Sequence, residues 1–317
     1  MLRFTTLRFV QIAFLMLAMS FVFYALIGLM PGDPIDLMIS ANPNLTPADA
    51  ARLKALHGLD QPIWLRYYAW LSAALDGDFG YSRGFNQPVL DIMGPHLART
   101  CVLMGLSFVL SVAIAVAIGT AAAARPNSAF DYIVNFLSFA GRAVPPFWLA
   151  LVLILVFAVA LRWLPAGGME TVGDSGFWDR LKHLVLPVVC LTLLNISTIA
   201  RIARAETLAA LRQDYIRTAR AKGLSRRRVL WGHAFRNAAN PLVTVIALDF
   251  GALFSGALIT ETIFSYPGMG KLIFDSVMSN DYNTALAGLL FATVITLLAN
   301  YVADVLYAVL DPRVSYR

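Results

Sequence analysis

Cysteine, histidine and charge are all scarce in this chain. Its two cysteines, Cys101 and Cys190, sit inside apolar runs, so they read as small buried hydrophobes and not as a disulfide framework or thiolate metal centre. The four histidines, His57, His96, His183 and His233, are scattered without ligand spacing, and no metal site is expected. Charged residues make up 14% of the chain, against about 25% in soluble domains. No G-x-x-x-x-G-K-[ST] phosphate loop occurs, so no nucleotide hydrolysis by this chain is expected. Internal repeats and low-complexity tracts are also missing.

What is abundant is apolar sequence. Hydrophobic residues account for 59%, and the mean hydropathy is +0.68, which excludes an ordinary soluble globule. About 20 apolar residues carry a helix across the hydrocarbon core. Six segments qualify: Phe9–Met30, Thr100–Ala124, Ile133–Leu161, Leu184–Ala205, Pro241–Phe264 and Thr284–Leu310. The third contains Pro145-Pro146, which marks a kink or a join between an interfacial turn and the span proper. Arg3 and Arg8 precede the first run, which is too long for a signal-peptide core and lacks a small-x-small cleavage site. It reads as an uncleaved span.

Lys and Arg asymmetry places both termini in the cytosol, with Arg3, Arg8, Arg125, the loop after span four, Arg313 and Arg317 on that side. The chain then divides into a cytosolic end with its first span (1–30), an extracytoplasmic loop (31–98) and a five-helix core (99–317). The outer loop carries folding signals. Thr46 caps a helix over Pro47–His57 that Gly58 ends. A second helix follows Pro62, with Trp64, Leu65, Tyr68, Trp70 and Leu71 on its faces. Gly77-Asp78-Phe79-Gly80 then turns the chain.

Of 25 Lys and Arg residues, ten lie between Arg201 and Arg236. The net charge of +6 raises nucleic acid or anionic lipid as partners, but charge beside membrane spans is what topology demands. Nucleic acid is not expected; membrane lipid surrounds the protein. The loop over 206–240 is nevertheless longer than topology requires. Glu206 to Lys222 are mostly good helix formers, Gly223 stops that helix, and Ser225 caps a second from Arg226.

The stretch Asp214-Tyr215-Ile216-Arg217-Thr218-Ala219-Arg220-Ala221-Lys222-Gly223, followed by His233-Ala234-Phe235-Arg236-Asn237-Ala238, resembles the signature loop of permease subunits of ATP-driven ABC importers. The nearest branch is the dipeptide/oligopeptide/nickel permease family. Arg217, Thr218, Ala219 and Gly223 stand where the wider group has Glu-Ala-Ala-x-x-x-Gly, so the usual glutamate is missing and its ion pair with the ATPase does not carry over. Gly58-Leu59-Asp60-Gln61-Pro62, Gly77–Ser82, Leu164–Gly168, His183–Pro187, Glu261–Gly270 and Leu310-Asp311-Pro312-Arg313 extend the resemblance over nearly the whole chain.

The resemblance implies an all-α membrane protein of the type I ABC importer permease fold with six spans, in a bacterial inner membrane. It implies a coupling helix built on Asp214, Tyr215, Arg217, Thr218, Ala219, Lys222, Gly223 and Leu224, docked on a cytosolic ATPase. The implied partners are a homologous second permease, two ATPase subunits that bind ATP and Mg, and an extracytoplasmic solute-binding protein. This chain would hold no cofactor and no catalytic residue. The implied substrates are dipeptides, short oligopeptides, nickel chelates or another small solute. A membrane-embedded enzyme lacks the clustered titratable groups it needs, and a secondary transporter leaves the basic loop without a role.

Polar groups in the spans are the remaining candidates, since charge at membrane depth faces a cavity or a partner. Asp249 is either a pathway residue or the structural partner of an arginine or a polar side chain on another helix or subunit, and Arg142 flanks the third span near the prolines. Asn300 and Asp304 share a helix face, and with Asn195 they either line the path or stitch helices together. Gly251 and Gly256 suit close packing against the second permease. Glu261, Tyr266, Pro267, Gly268 and Gly270 form an outer gate, a contact for the binding protein, or a capped re-entrant turn. The first outer loop offers the binding protein more surface, with Asp33, Asp36, Asp60, Asp76 and Asp78.

Overall fold

The computed structural model describes residues 2–29, 52, 61–174 and 176–310. The proposed helix at Pro47–His57, the motif start Gly58-Leu59-Asp60, the acidic Asp33, Asp36 and Asp60, and the motif residues Asp311-Pro312-Arg313 lie outside the described residues, as do the side-chain surroundings of Gly251 and Gly256. Among the described residues all extended regular structure is helical, with two isolated antiparallel bridges at Tyr81–Pro88 and Thr171–Asp174.

The helices are α1 (Leu2–Gly28), α2 (Ile63–Leu75), α3 (Val89–Ala123), α4 (Ala129–Ala143), α5 (Pro146–Leu153, continued by the π-helical Ile154–Ala160), α6 (Phe177–Leu211), α7 (Asp214–Ala221), α8 (Arg226–Arg228, continued by the π-helical Val229–Ala234), α9 (Phe235–Ile263), α10 (Met269–Met278) and α11 (Tyr282–Leu310). Four stretches are long and apolar enough to cross a membrane: Thr6–Gly28, Val89–Ala123, Phe177–Leu211 and Tyr282–Val305. A fifth is α4 taken together with Pro146–Ala160. The fifth apolar run of the sequence forms α9, a helix of 29 residues.

The proline pair does more than kink its segment: the two arms of that fifth candidate meet at 107°. Val144 and Pro145 are both extended, and Pro146 opens α5 at its first position. A proline restricts the residue before it to extended backbone and cannot donate to a helical carbonyl, so two in a row end one helix and start another. Elsewhere the helices outrun the apolar segments. α3 begins at Val89 instead of Thr100, and α6 begins at Phe177 instead of Leu184. Helix formation follows backbone propensity and capping, and does not stop where hydrocarbon does.

The chain divides into two compact units, Met1–Leu97 with Leu272–Ile295 and Ala98–Lys271 with Thr296–Arg317. In the first, Tyr67 on α2 stacks with Trp70 and meets the edges of Phe21 and Tyr24 of α1, and its hydroxyl hydrogen-bonds Ser20 Oγ at 2.7 Å. Ile27, Ala285, Leu286 and Leu290 form the core beneath them. The turn after α2 is pinned to the start of α11 by Asp281, which accepts from Ser82 Oγ, Gly84 N and Thr284 Oγ1.

In the second unit α6 is the central helix, packed by α4 and α9. Ala115, Ile199, Ala200, Ala203 and Leu242 form a core of small and branched side chains. Gly119 lies against the Ala200 carbonyl with no room for a Cβ, the close approach that small residues permit between apolar helices. Of the cysteines, Cys190 is buried as expected but Cys101 is exposed. The correction has a simple cause: on a membrane helix an apolar neighbourhood can be lipid, so a hydrophobic residue need not be covered by protein.

Candidate functional site

The basic loop forms two short helices around a glycine. The single helix expected from Glu206 to Lys222 is instead split. α6 runs on to Leu211, Gln213 takes an extended conformation (φ −77, ψ 154), and α7 starts at Asp214, whose carboxylate complements the N-terminal dipole. The break redirects the chain so that one side of α7 faces inward. Ile216 is fully buried and Ala219 nearly so, both packed in a cluster with Ala210, Val229, Ala234 and Ala238. Leu224 is half-buried against the same cluster.

The opposite side of α7 is open. Asp214, Tyr215, Arg217, Thr218 and Lys222 are all exposed. Asp214 and Arg217 pair at 3.3 Å with side chains 93% and 80% accessible, and such pairs contribute little to stability. Thr218 Oγ1 donates to the Asp214 carbonyl at 3.3 Å. Gly223 follows with φ +79 and open space where a side chain would go. It is a conformational stop: a left-handed residue that ends the helix. Ser225 then accepts from Arg228 N at 3.4 Å, capping α8.

One buried charge near this loop is absent from the sequence reading. Asp131, 2% exposed, receives both Nε and Nη2 of Arg204, Asn127 N at 3.0 Å and Asn135 Nδ2 at 3.0 Å. Every lone pair has a donor, which is the condition for a buried ion pair to persist. Ser128 Oγ in turn accepts from Asp131 N. That Ser-x-x-Asp capping pattern ahead of an apolar run is a readable helix start, and it marks residue 129 where periodicity marks 133.

The polar groups of the spans separate. Asn195 is half-buried and donates to Leu191 O of its own helix at 2.7 Å. Arg142 donates to Thr198 Oγ1 at 3.1 Å, and Arg142 is also the positive charge that reaches the half-buried Asp249. Asn300 is exposed and Asp304 half-buried.

The turn after α9 is tightly organised. Glu261 is fully buried and accepts from Thr100 Oγ1 at 2.6 Å, Gly270 N at 2.7 Å and Lys271 N at 3.2 Å. It thereby satisfies the open amides at the start of α10. Thr100 Oγ1 accepts from Met269 N at 2.7 Å. Gly268 lies against the Glu261 carboxyl and Gly270 against Leu258 Cα, with no room for a Cβ at either. Arg99 donates to Pro267 O at 3.3 Å. Burial, helped by the Glu261 charge, pushes the Tyr266 phenol up to about 12, so the hydroxyl stays protonated and donates to Arg99 O at 3.3 Å.

Membrane-length helices, in a chain whose extended regular structure is helical among the described residues, define a polytopic membrane protein, and its short basic helix α7 is anchored by two side chains and open on its other face. The family described as "Binding-protein-dependent transport system inner membrane component" matches residues 115–316, and its N-terminal counterpart matches residues 1–103. The chain belongs to this family: it is a permease subunit of a binding-protein-dependent transport system, a multi-pass protein of the inner membrane.

Among curated relatives, the oligopeptide transport system permease protein AppB of Bacillus subtilis (strain 168) is 38% identical, over 95% of this chain and 96% of that protein. The dipeptide transport system permease protein DppB of Alkalihalophilus pseudofirmus is 35% identical over the full length of both. DppB of Escherichia coli (strain K12) is 34% identical over 93% of each. A crystal structure of an amino acid ABC transporter with histidines shares the fold, with a TM-score of 0.50, at 14% identity, over 69% of this chain and 94% of that one.

Proposed function

We propose that this chain is one half of the membrane pathway of an ATP-driven importer for dipeptides or short oligopeptides. The names of the relatives support the peptide substrate. The observation that carries the mechanism is the division of α7: Ile216 and Ala219 fasten it to the end of α6, while Asp214, Tyr215, Arg217, Thr218 and Lys222 remain open. A short helix fixed on one side transmits a push as a rigid body. Two cytosolic ATPase subunits bind ATP and Mg, close, and draw the coupling helices together; the spans then exchange inward- and outward-facing states. This chain binds no nucleotide itself.

In this reading the protein has six spans with both termini in the cytosol. Its organisation is a first span (1–30), an outer loop (31–98) that receives an extracytoplasmic solute-binding protein, and a core (99–317) that pairs with a homologous second permease. Gly223 and Leu224 end the coupling element. Asp249, Asn195, Asn300 and Asp304 serve the pathway or its walls, and Glu261, Tyr266, Pro267, Gly268 and Gly270 shape the outer mouth.

The test is a Thr218→Cys substitution in the assembled transporter, with a bifunctional maleimide and uptake of a labelled dipeptide measured in parallel. The crosslink is expected to reach an ATPase subunit, and uptake is expected to stop once it forms. Crosslinking to the solute-binding protein, or uptake that proceeds without any ATPase subunit, overturns the reading.

A further inference from the structure

Four arginines of the second unit line one cavity. Arg125 at the end of α3, Arg220 on α7, and Arg226 and Arg227 on α8 surround a space of about 630 Å³, with Leu224 and Trp231 completing the wall. Among the described residues no carboxylate lines it. None of the four arginines has an ion-pair partner among the described residues, whereas Arg180, Arg204 and Arg217 each have one. An unpaired cluster of guanidinium groups in a shaped cavity is a site for an anion, above all one with planar oxygens to accept forked donors.

A second cavity begins where the first ends. It is about 380 Å³, and its lining among the described residues is apolar and aromatic, with Val112 and Val116 of α3 and Phe235, Leu242 and Ile246 of α9. Trp231 belongs to both walls. Trp231 is 41% exposed, and its ring centroid lies 5.3 Å from that of Phe235. An amphipathic aromatic between a charged pocket and an apolar groove is the side chain that settles at the level of lipid headgroups. A soluble anion would use the arginines and leave the groove empty, and an apolar helix would use the groove and leave the arginines unpaired. One molecule that satisfies both has an anionic head and a hydrocarbon tail.

We propose that the arginine cavity and the groove beside it form one binding site for an anionic phospholipid, with the phosphate among Arg125, Arg220, Arg226 and Arg227 and an acyl chain passing Trp231 between α3 and α9. The site needs only that α3 and α9 cross the bilayer, and it is independent of which transport substrate is carried and of which side the loop faces. Because α7 and α8 supply three of the four arginines, an occupied site ties the coupling element to the membrane surface.

Native mass spectrometry of the intact transporter, titrated with phosphatidylglycerol or phosphatidylcholine, tests this. Phosphatidylglycerol is expected to be retained in preference. Each arginine near a membrane surface contributes about 1 kcal/mol to anionic-lipid binding, so Arg226→Ala with Arg227→Ala should weaken phosphatidylglycerol retention roughly ten- to thirtyfold and leave phosphatidylcholine unchanged. Ala117→Phe, which fills the groove from an exposed position, should give a similar loss with all four arginines present. Equal retention of the two lipids overturns the proposal. So does full competition by glycerophosphoglycerol, which lacks acyl chains and would mark a soluble-anion site. Loss of the ATPase subunits with phosphatidylglycerol still bound would assign the arginines to that interface. Loss of the second permease from the Ala117→Phe variant would assign the groove to a protein helix.

Discussion

Two short segments of the second unit, α7 and the turn at Glu261–Gly270, join long apolar helices and carry charge, yet they treat their polar groups in opposite ways. At Glu261 the carboxylate is buried and three donors from the same chain converge on it. At α7 the apolar side is buried and the polar side faces outward, with one exposed ion pair and one side-chain hydrogen bond to its own backbone. A saturated polar group is structural because it has nothing left to offer a partner. An open face on a firmly anchored helix is where an incoming surface can bind. Charge alone does not separate the two; the number of donors already committed does.

The comparison breaks if polar groups on the saturated side prove dispensable for folding, and it is sharpest where burial is deepest. Asp131→Ala leaves the Arg204 guanidinium without its counter-charge, a loss of about 3 kcal/mol or more; thermal unfolding in detergent should show it, and a melting point equal to wild type would remove the pair from the structural class. Glu261→Gln keeps the shape but turns an amide toward donors that need an acceptor. It should lose about 2 kcal/mol and speed hydrogen exchange at Gly270 and Lys271; unchanged protection there would mean the turn holds itself by other contacts.

On the open side the expected effects on stability are smaller and those on function larger. Gly223→Val forces a β-branched residue to φ +79, at about 1–2 kcal/mol. It should abolish uptake while the protein still reaches the membrane; normal uptake would detach the glycine stop from coupling. Asp214→Ala with Arg217→Ala should change stability by no more than about 0.5 kcal/mol but reduce transport-stimulated ATP hydrolysis. If the double variant unfolds early and couples normally, the roles assigned to the two faces are reversed.

Sequence is a good guide wherever a feature is set by residues a few positions apart. The apolar runs, the break at Pro145-Pro146, the stop at Gly223 and the cap at Ser225 are all of this kind. Pairings between distant positions are not legible. Asp131 meets Arg204 across 73 residues, Thr100 meets Glu261 across 161, and Ser82 meets Asp281 across 199. In each, one partner looks like an ordinary residue of its helix or loop, and only the packing of other helices brings the second to it. The split at Arg212–Gln213 is a different case. Both residues tolerate a helix, and the chain leaves helical geometry there because the apolar cluster rewards Ile216 and Ala219 for turning inward.

The bend at Pro145-Pro146 has a consequence for how the protein enters the bilayer in the first place. Each arm is about 22 Å long at 1.5 Å per residue, short of the roughly 30 Å hydrocarbon core. A translocon that releases straight segments of about 20 residues therefore cannot hand either arm to the lipid as a finished span. Residues 129–160 depend on neighbours for retention, and the neighbour that binds the first arm, Arg204 of α6, is synthesised later. In ribosome-bound chains truncated after residue 160, cysteines placed in this bent segment should react with a water-soluble maleimide, and in chains extended past residue 211 they should be shielded. If the shorter chains shield them equally, the segment inserts unaided.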